Sequence, residues 1–214
     1  MVKIWRYVLA TDNGLAPCID NGVLSLCCCK PRIRKGANVG DYVMGFMPIR
    51  FARKGPLLAW VGVISEKLTM GDYQAKYPDR QDAIYKRDGY HSDGRENLSH
   101  NGGDYHLDPA NQTRDKNGIY ALLCKPFWYW GGTPFPVPEN FHFLTHHFVG
   151  EANAVTNPSV LPKLRDWLGS LEPGIHGQPR NIPASSPLQS CNQSACSIEP
   201  KSSSKKRRNP TPRC

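Results

Sequence analysis

The sequence predicts an α+β fold in which short strands joined by turns carry the core and a single helix packs against them. Stretches with the two-residue period of a strand recur at Lys3–Ala10, Val23–Lys30, Leu57–Ser65 and Ile119–Lys125, and Tyr42–Phe46 has aromatic and β-branched strand character. Glycine and proline number 19 each in 214 residues, which divides the chain into short elements. One segment, Ser159–Leu171, keeps a helical period: Val160, Leu164, Trp167 and Leu171 share a face, and Pro173-Gly174 ends it.

Lys3–Ala10 places Ile4, Arg6, Val8 and Ala10 on one face and Trp5, Tyr7 and Leu9 on the other. It runs into Thr11-Asp12-Asn13-Gly14, where Asn-Gly supplies positive φ and Asp12 can bond neighbouring amides. Plain turn chemistry is one reading of this segment. The other is a polar loop, Asp12 to Cys18, where a ligand meets amides and a carboxylate. Both faces of Val23–Lys30 are apolar or small, which predicts a central buried strand, and Pro31 should end it for want of an N–H. Lys30, Arg32, Arg34 and Lys35 then gather on a connection beside one sheet edge, and Gly40-Asp41 turns the chain into Tyr42–Phe46 with no helix between. Arg50, Arg53 and Lys54 form a second basic loop before Leu57–Ser65. There Gly62 leaves room beside Trp60, which fills the core or walls a stacking pocket.

Residues 66–118 are polar and rich in tyrosine, and read as a long loop with one short helix at Tyr73–Tyr77. Tyr77, Tyr85, Tyr90 and Tyr105 interleave with Arg80, Lys86, Arg87 and Arg95, a mixture suited to stacking on bases and neutralising phosphates. His91, His100, Asp104 and His106 are metal-ligand types, but no helix is predicted to set them on one face, and no metal is expected. Trp128, Tyr129 and Trp130 abut Gly131-Gly132 and either plug the core or line a pocket for a planar ligand. His142, His146 and His147 follow, the last two facing opposite ways if on a strand. The Pro- and Ser-rich composition beyond Gly174 predicts a folded domain over residues 1–175 and a disordered basic tail over 176–214.

The net charge is +9. Lys201, Lys205, Lys206, Arg207, Arg208 and Arg213 stand against Glu199 in residues 181–214, and this balance points to a polyanionic partner. The cysteines at 18, 27, 28, 29, 124, 191, 196 and 214 form no CxxC pair, so Cys27, Cys28 and Cys29 read as small core hydrophobes with reduced, cytoplasmic thiols. No apolar run approaches the roughly 20 residues that cross a bilayer, and the N-terminus lacks a signal-peptide core. No membrane partner is expected. A P-loop, a dinucleotide fingerprint and a Ser-His-Asp pattern are absent, and no cofactor is expected.

YVLATDNGLAPC, GVLSLCCCKPRIRKGANVGDYVMGF and FWYWGG together resemble the second type of nucleotide modification associated domain, a family related to PUA-like and EVE barrels. The likeness covers about residues 3–150 and is strongest at Asp12-Asn13-Gly14, Ala16-Pro17, Cys29-Lys30-Pro31, Ile33-Arg34 and Gly40-Asp41. It implies a small bent PUA-like or EVE-like β-barrel with flanking helices and a pocket for a modified base or nucleotide. Cys27-Cys28 departs from the aliphatic strand expected there.

The resemblance and the basic charge imply a nucleic-acid-associated module that binds a modified or hypermodified base or nucleotide in DNA, within a DNA modification system of a bacterial or phage-infected cell. In that reading Asp12, Asn13, Gly14 and Cys18 meet polar edges, Trp60, Trp128 and Trp130 stack, and Lys30, Arg32, Arg34, Lys35, Arg50 and Arg53 meet phosphates. The alternative is an enzyme acting on a nucleotide or base, with Asp12, Asp41, His91 or His100 as acid or base and Cys18 as nucleophile. A third is an interaction protein whose tail supplies most of its affinity.

Overall fold

The computed structural model describes residues 1–52, 54–145, 150–151 and 153–181. Arg53, His146, His147 and the tail from residue 182 lie outside the described residues. Strands β1 (Ile4–Val8), β2 (Cys18–Asp20) and β3 (Val23–Leu26) precede helix α1 (Pro31–Gly36), β4 (Tyr42–Phe46) and the long β5 (Leu57–Thr69). Helix α2 (Met70–Lys76), β6 (Tyr85–Tyr90), β7 (Glu96–His100), α3 (Pro109–Lys116) and β8 (Tyr120–Tyr129) follow. The last elements are β9 (Phe135–Pro136), α4 (Val160–Gly169) and β10 (Gly174–Ile175).

The main sheet has eight strands in the order β1-β4-β5-β8-β3-β2, with β9 beside β5 and β10 beside β8. Neighbours are antiparallel except β1 with β4 and β10 with β8. The fold is therefore mixed α+β, but the sheet is not the closed β-barrel that the resemblance implied. Closure would need the end strands to pair. Instead, Ile4 and Tyr7 of β1 bridge to Val155 and Glu151, while β2 is three residues long and pairs with β3 alone.

Alternation along β4, β5 and β8 feeds both faces. Val43, Trp60, Leu122 and Tyr129 enter one apolar cluster with Tyr7 and Ile33, whereas Met44, Val61 and Trp128 enter another beneath Leu164 and Leu168 of α4. A third cluster joins Cys27, Cys28 and Cys29 to Met70 and Tyr73 of α2 and Tyr85 of β6. Trp60 is wholly buried and donates Nε1–H to the Tyr7 hydroxyl at 2.8 Å. Its ring fits because Gly45 opposite has no side chain: a Cβ there would lie 2.2 Å from Trp60 Nε1.

Three local expectations are corrected. Strand β3 stops at Leu26, and Pro31 opens α1 instead of leading a helix-free connection. Proline suits this first helical position because the N–H it lacks would have no helical partner there. Residues 66–118 hold α2, the β6–β7 hairpin and α3, in place of a long loop with one short helix. Arg80, taken from that loop as a phosphate contact, is instead buried: its guanidinium donates to the Tyr73 hydroxyl at 2.7 Å and Ser25 Oγ at 2.8 Å, beside buried Asp82. Strand β8 continues through Trp128 and Tyr129, so these rings lie within the sheet.

The described chain beyond β10 stays on the domain. His176 N–H donates to the Tyr129 carbonyl at 2.7 Å, and Asn181 N–H to the Asp12 carbonyl at 2.6 Å. No helix among the described residues is long and apolar enough to cross a membrane.

Candidate functional site

Between β3 and α1 the backbone takes two consecutive left-handed residues, Cys29 (φ 56°) and Lys30 (φ 44°). Side chains with a Cβ disfavour this region, so such a pair persists only where the surroundings impose it, and strained backbone of this kind clusters at functional sites. Asp115 Oδ1, from the last turn of α3, accepts the Cys29 N–H at 2.6 Å. Arg34 Nε, from α1, donates to the Cys29 carbonyl at 2.6 Å. The turn is thus clamped on both sides.

The clamp brings together a thiol, an imidazole and a carboxylate from distant parts of the chain. Cys29 Sγ lies 3.8 Å from His106 Nε2, and His106 Nδ1 is hydrogen-bonded to Asp115 Oδ2, which also accepts the Tyr85 hydroxyl at 2.9 Å. Burial alone would raise the Asp115 carboxyl, but the hydrogen bond from His106, with the Arg34 guanidinium, holds it below its ordinary value. An ionised carboxylate only accepts, so it fixes the hydrogen on Nδ1 and leaves the Nε2 lone pair toward Cys29. Cys29 is 3% exposed and Asp115 is fully enclosed. Burial pushes the Cys18 and Cys28 thiols well up and Cys124 up to about 12.

A polar cluster adjoins the thiol through Tyr7. Lys30 Nζ sits 4.8 Å from the centre of the Tyr7 ring, and Tyr7 lies within electrostatic reach of Cys29 and Asp12. Tyr129 donates its hydroxyl to Asp12 Oδ2 at 2.7 Å. Burial raises the Asp12 carboxyl despite that hydrogen bond.

The residues singled out from the sequence are dispersed. Asp12 is buried in this cluster, Asn13 Oδ1 accepts the Leu15 amide at 3.2 Å, Gly14 supplies a positive φ, and Cys18 is buried in β2. Trp60, Trp128 and Trp130 are at most 6% exposed. Trp128 donates to the Leu171 carbonyl at 3.1 Å, and Trp130 stacks on His176. Of the cations, Arg32 is exposed and donates to Asn153 Oδ1 at 2.8 Å, Arg34 is fully buried, Arg50 lies exposed over Phe51, and Arg53 is outside the described residues.

Asp41 is a turn carboxylate that accepts from the Lys3 and Asn38 amides and from Trp5 Nε1. His100 Nε2 faces the Tyr105 carbonyl at 2.7 Å. Exposed His91 and Lys35 line a cleft of ≈ 670 Å³ with Arg87, Arg95 and Lys116. None of the thiol-site residues lines it, and its arginines are already engaged, Arg87 with Asp72 and Glu96 and Arg95 with Asp93.

Cys29, His106 and Asp115 are the residues that sequence reasoning missed as a set. Cys29 looked like strand filler, His106 was one of several loop histidines, and Asp115 stood in a polar run. Cys28 Sγ, with His106 and Asp115, also offers donor atoms within 4.8 Å of one another, a set chemically suited to zinc. Both Asp115 oxygens, however, already accept protein hydrogen bonds, and Cys28 Sγ donates to the Asp82 carbonyl at 3.6 Å.

No curated protein and no solved structure matches the chain. The model of the family described as nucleotide modification associated domain 2 matches residues 1–186, a span that includes every residue of the thiol site and associates the chain with nucleotide modification. The chain therefore belongs to the nucleotide modification associated domain 2 family.

Proposed function

We propose that the protein is a thiol-dependent enzyme acting on a nucleotide or base in a nucleotide modification system, with Cys29 as nucleophile, His106 as general base and Asp115 holding the imidazole. The observation that carries this reading is the approach of Cys29 Sγ to His106 Nε2 at 3.8 Å while a buried aspartate holds the other ring nitrogen. Nucleophile, base and orienting carboxylate in that order generate a reactive thiolate on demand, and contacts of this kind tighten when substrate binds.

The chemistry suited to it is substitution at an acyl-type carbon on the nucleotide or base. Sγ attacks the carbon as its proton passes to His106 Nε2. The carbon–heteroatom bond breaks, and the leaving nitrogen or oxygen takes that proton. Water then gives a proton to His106 and attacks the thioester carbon, and the sulfur departs and recovers the proton. A base reader would instead stack the base on an open aromatic face, and Trp60, Trp128 and Trp130, the rings that the sequence offers for that task, are buried.

The test is to incubate the protein with nucleotides and oligonucleotides bearing acylated or amidated bases, following product and intact protein mass. Turnover with a mass increment on Cys29, both lost in Cys29→Ser, is the expected result. Selective binding without turnover, unchanged in Cys29→Ser, would establish the base reader instead. Zinc retained through purification and lost in His106→Gln would replace the nucleophile with a metal centre.

A further inference from the structure

Lys30, Arg34 and Arg80 are basic side chains buried among the described residues, and they are treated very differently. Arg34 donates to the carbonyls of Cys29, Tyr120 and Asp115. Arg80 donates to several oxygens and lies 3.6 Å from Asp82. Lys30 is 8% exposed, and its contact is with the face of the Tyr7 ring at 4.8 Å. No ion pair among the described residues involves it. Its stem is buried but Nζ is not among the enclosed nitrogens that lack a partner, so the ammonium reaches the surface beside the turn, where a ring face attracts it without neutralising it. Its backbone is left-handed like that of Cys29, so the same turn sets both side chains.

We infer that Lys30 is the anion-binding arm of the thiol site, and that the substrate carries a phosphate beside the carbon Cys29 attacks. The substrate class is then a nucleotide, free or within a strand, and not a free base or nucleoside. The inference rests on the reading of Cys29 as the nucleophile. It assigns Lys30 a separate task, because an ammonium offers a compact point charge to a phosphate oxygen and the Tyr7 ring positions it without neutralising it.

The test is calorimetric titration of the whole protein with the four 2′-deoxynucleoside 5′-monophosphates, the corresponding nucleosides and inorganic phosphate. The proteins compared are the wild type, Lys30→Met, Lys30→Arg and Cys29→Ser, each checked for an unchanged unfolding midpoint. At least one monophosphate should bind about tenfold or more tightly than its nucleoside. Lys30→Met should remove that advantage, Lys30→Arg should restore most of it, and Cys29→Ser should keep it. Equal affinity for nucleoside and monophosphate, an advantage that survives Lys30→Met, or no monophosphate binding would overturn the inference. The two readings separate cleanly: an unreactive Cys29 with Lys30-dependent phosphate binding sinks only the nucleophile, and a reactive Cys29 with no phosphate preference sinks only the anion site.

Discussion

Arg34→Met should lower stability by about 3–5 kcal/mol, because it removes a buried cation while leaving its partners in place. The Arg34 guanidinium ties together α1, the cysteine turn, α3 and the start of β8 by donating to the Cys29, Asp115 and Tyr120 carbonyls. It also supplies positive charge beside the Asp115 carboxylate. Methionine matches its length but satisfies none of those oxygens, and a buried acceptor without a donor bears its full desolvation penalty. Gly118 is fitted to the same group: a Cβ there would lie 2.3 Å from Arg34 Cζ. Urea unfolding followed by tryptophan fluorescence measures the effect. A loss below about 1 kcal/mol, the net value of one ordinary hydrogen bond, would show that the guanidinium does not organise this corner.

Asp115→Asn should slow reaction at Cys29 by about a hundredfold or more, the lower range for losing general-base assistance. The carboxylate accepts from Cys29 N–H, the Tyr85 hydroxyl and His106 Nδ1. An amide has one oxygen for these three donors, so whichever way it turns, its NH₂ opposes at least one of them. His106 then loses the partner that fixes its tautomer. Stability should also fall, by about 1–3 kcal/mol at neutral pH. Because the folded-state pKa of Asp115 lies below its ordinary value, its stabilising contribution is complete above the unfolded pKa and is lost as pH falls through the lower folded value. The stability gap between wild type and Asp115→Asn should therefore be full above about pH 4 and close below it. A gap that widens on acidification would mean that Asp115 is protonated in the native state.

The sheet was legible wherever alternation was long. β5 and most of β8 stand where apolar residues line both alternating faces, and β4 where aromatic and β-branched residues follow Gly40-Asp41. Alternation, however, says which face a side chain takes and not which strand lies alongside, so barrel closure was not readable from it. The cysteine run shows a similar limit. Cys27 to Cys29 continue the period of β3, and nothing in that period reveals that Cys29 and Lys30 turn left-handed; besides Arg34, the contacts holding Cys29 come from His106 and Asp115, 77 and 86 residues away. Helix α3 was hidden because it buries only Asp115 and so has no apolar stripe, although Asp108-Pro109 is an N-cap followed by a first-turn proline. The aromatic residues misled in the opposite direction. Tryptophan beside glycine suits a stacking pocket and a tight core equally well, and Trp60 against Gly45 is the second.

Peptide-resolved alkylation with iodoacetamide at neutral pH decides whether Cys29 is a nucleophile. Cys27, Cys28 and Cys124 of the same chain are similarly buried and serve as internal references. Cys29 should be modified well ahead of all three, and His106→Gln should remove that lead at a temperature where the variant remains folded. If Cys29 reacts no faster than its neighbours, or keeps its lead without the imidazole, the thiol, imidazole and carboxylate form a structural contact and the enzyme reading fails.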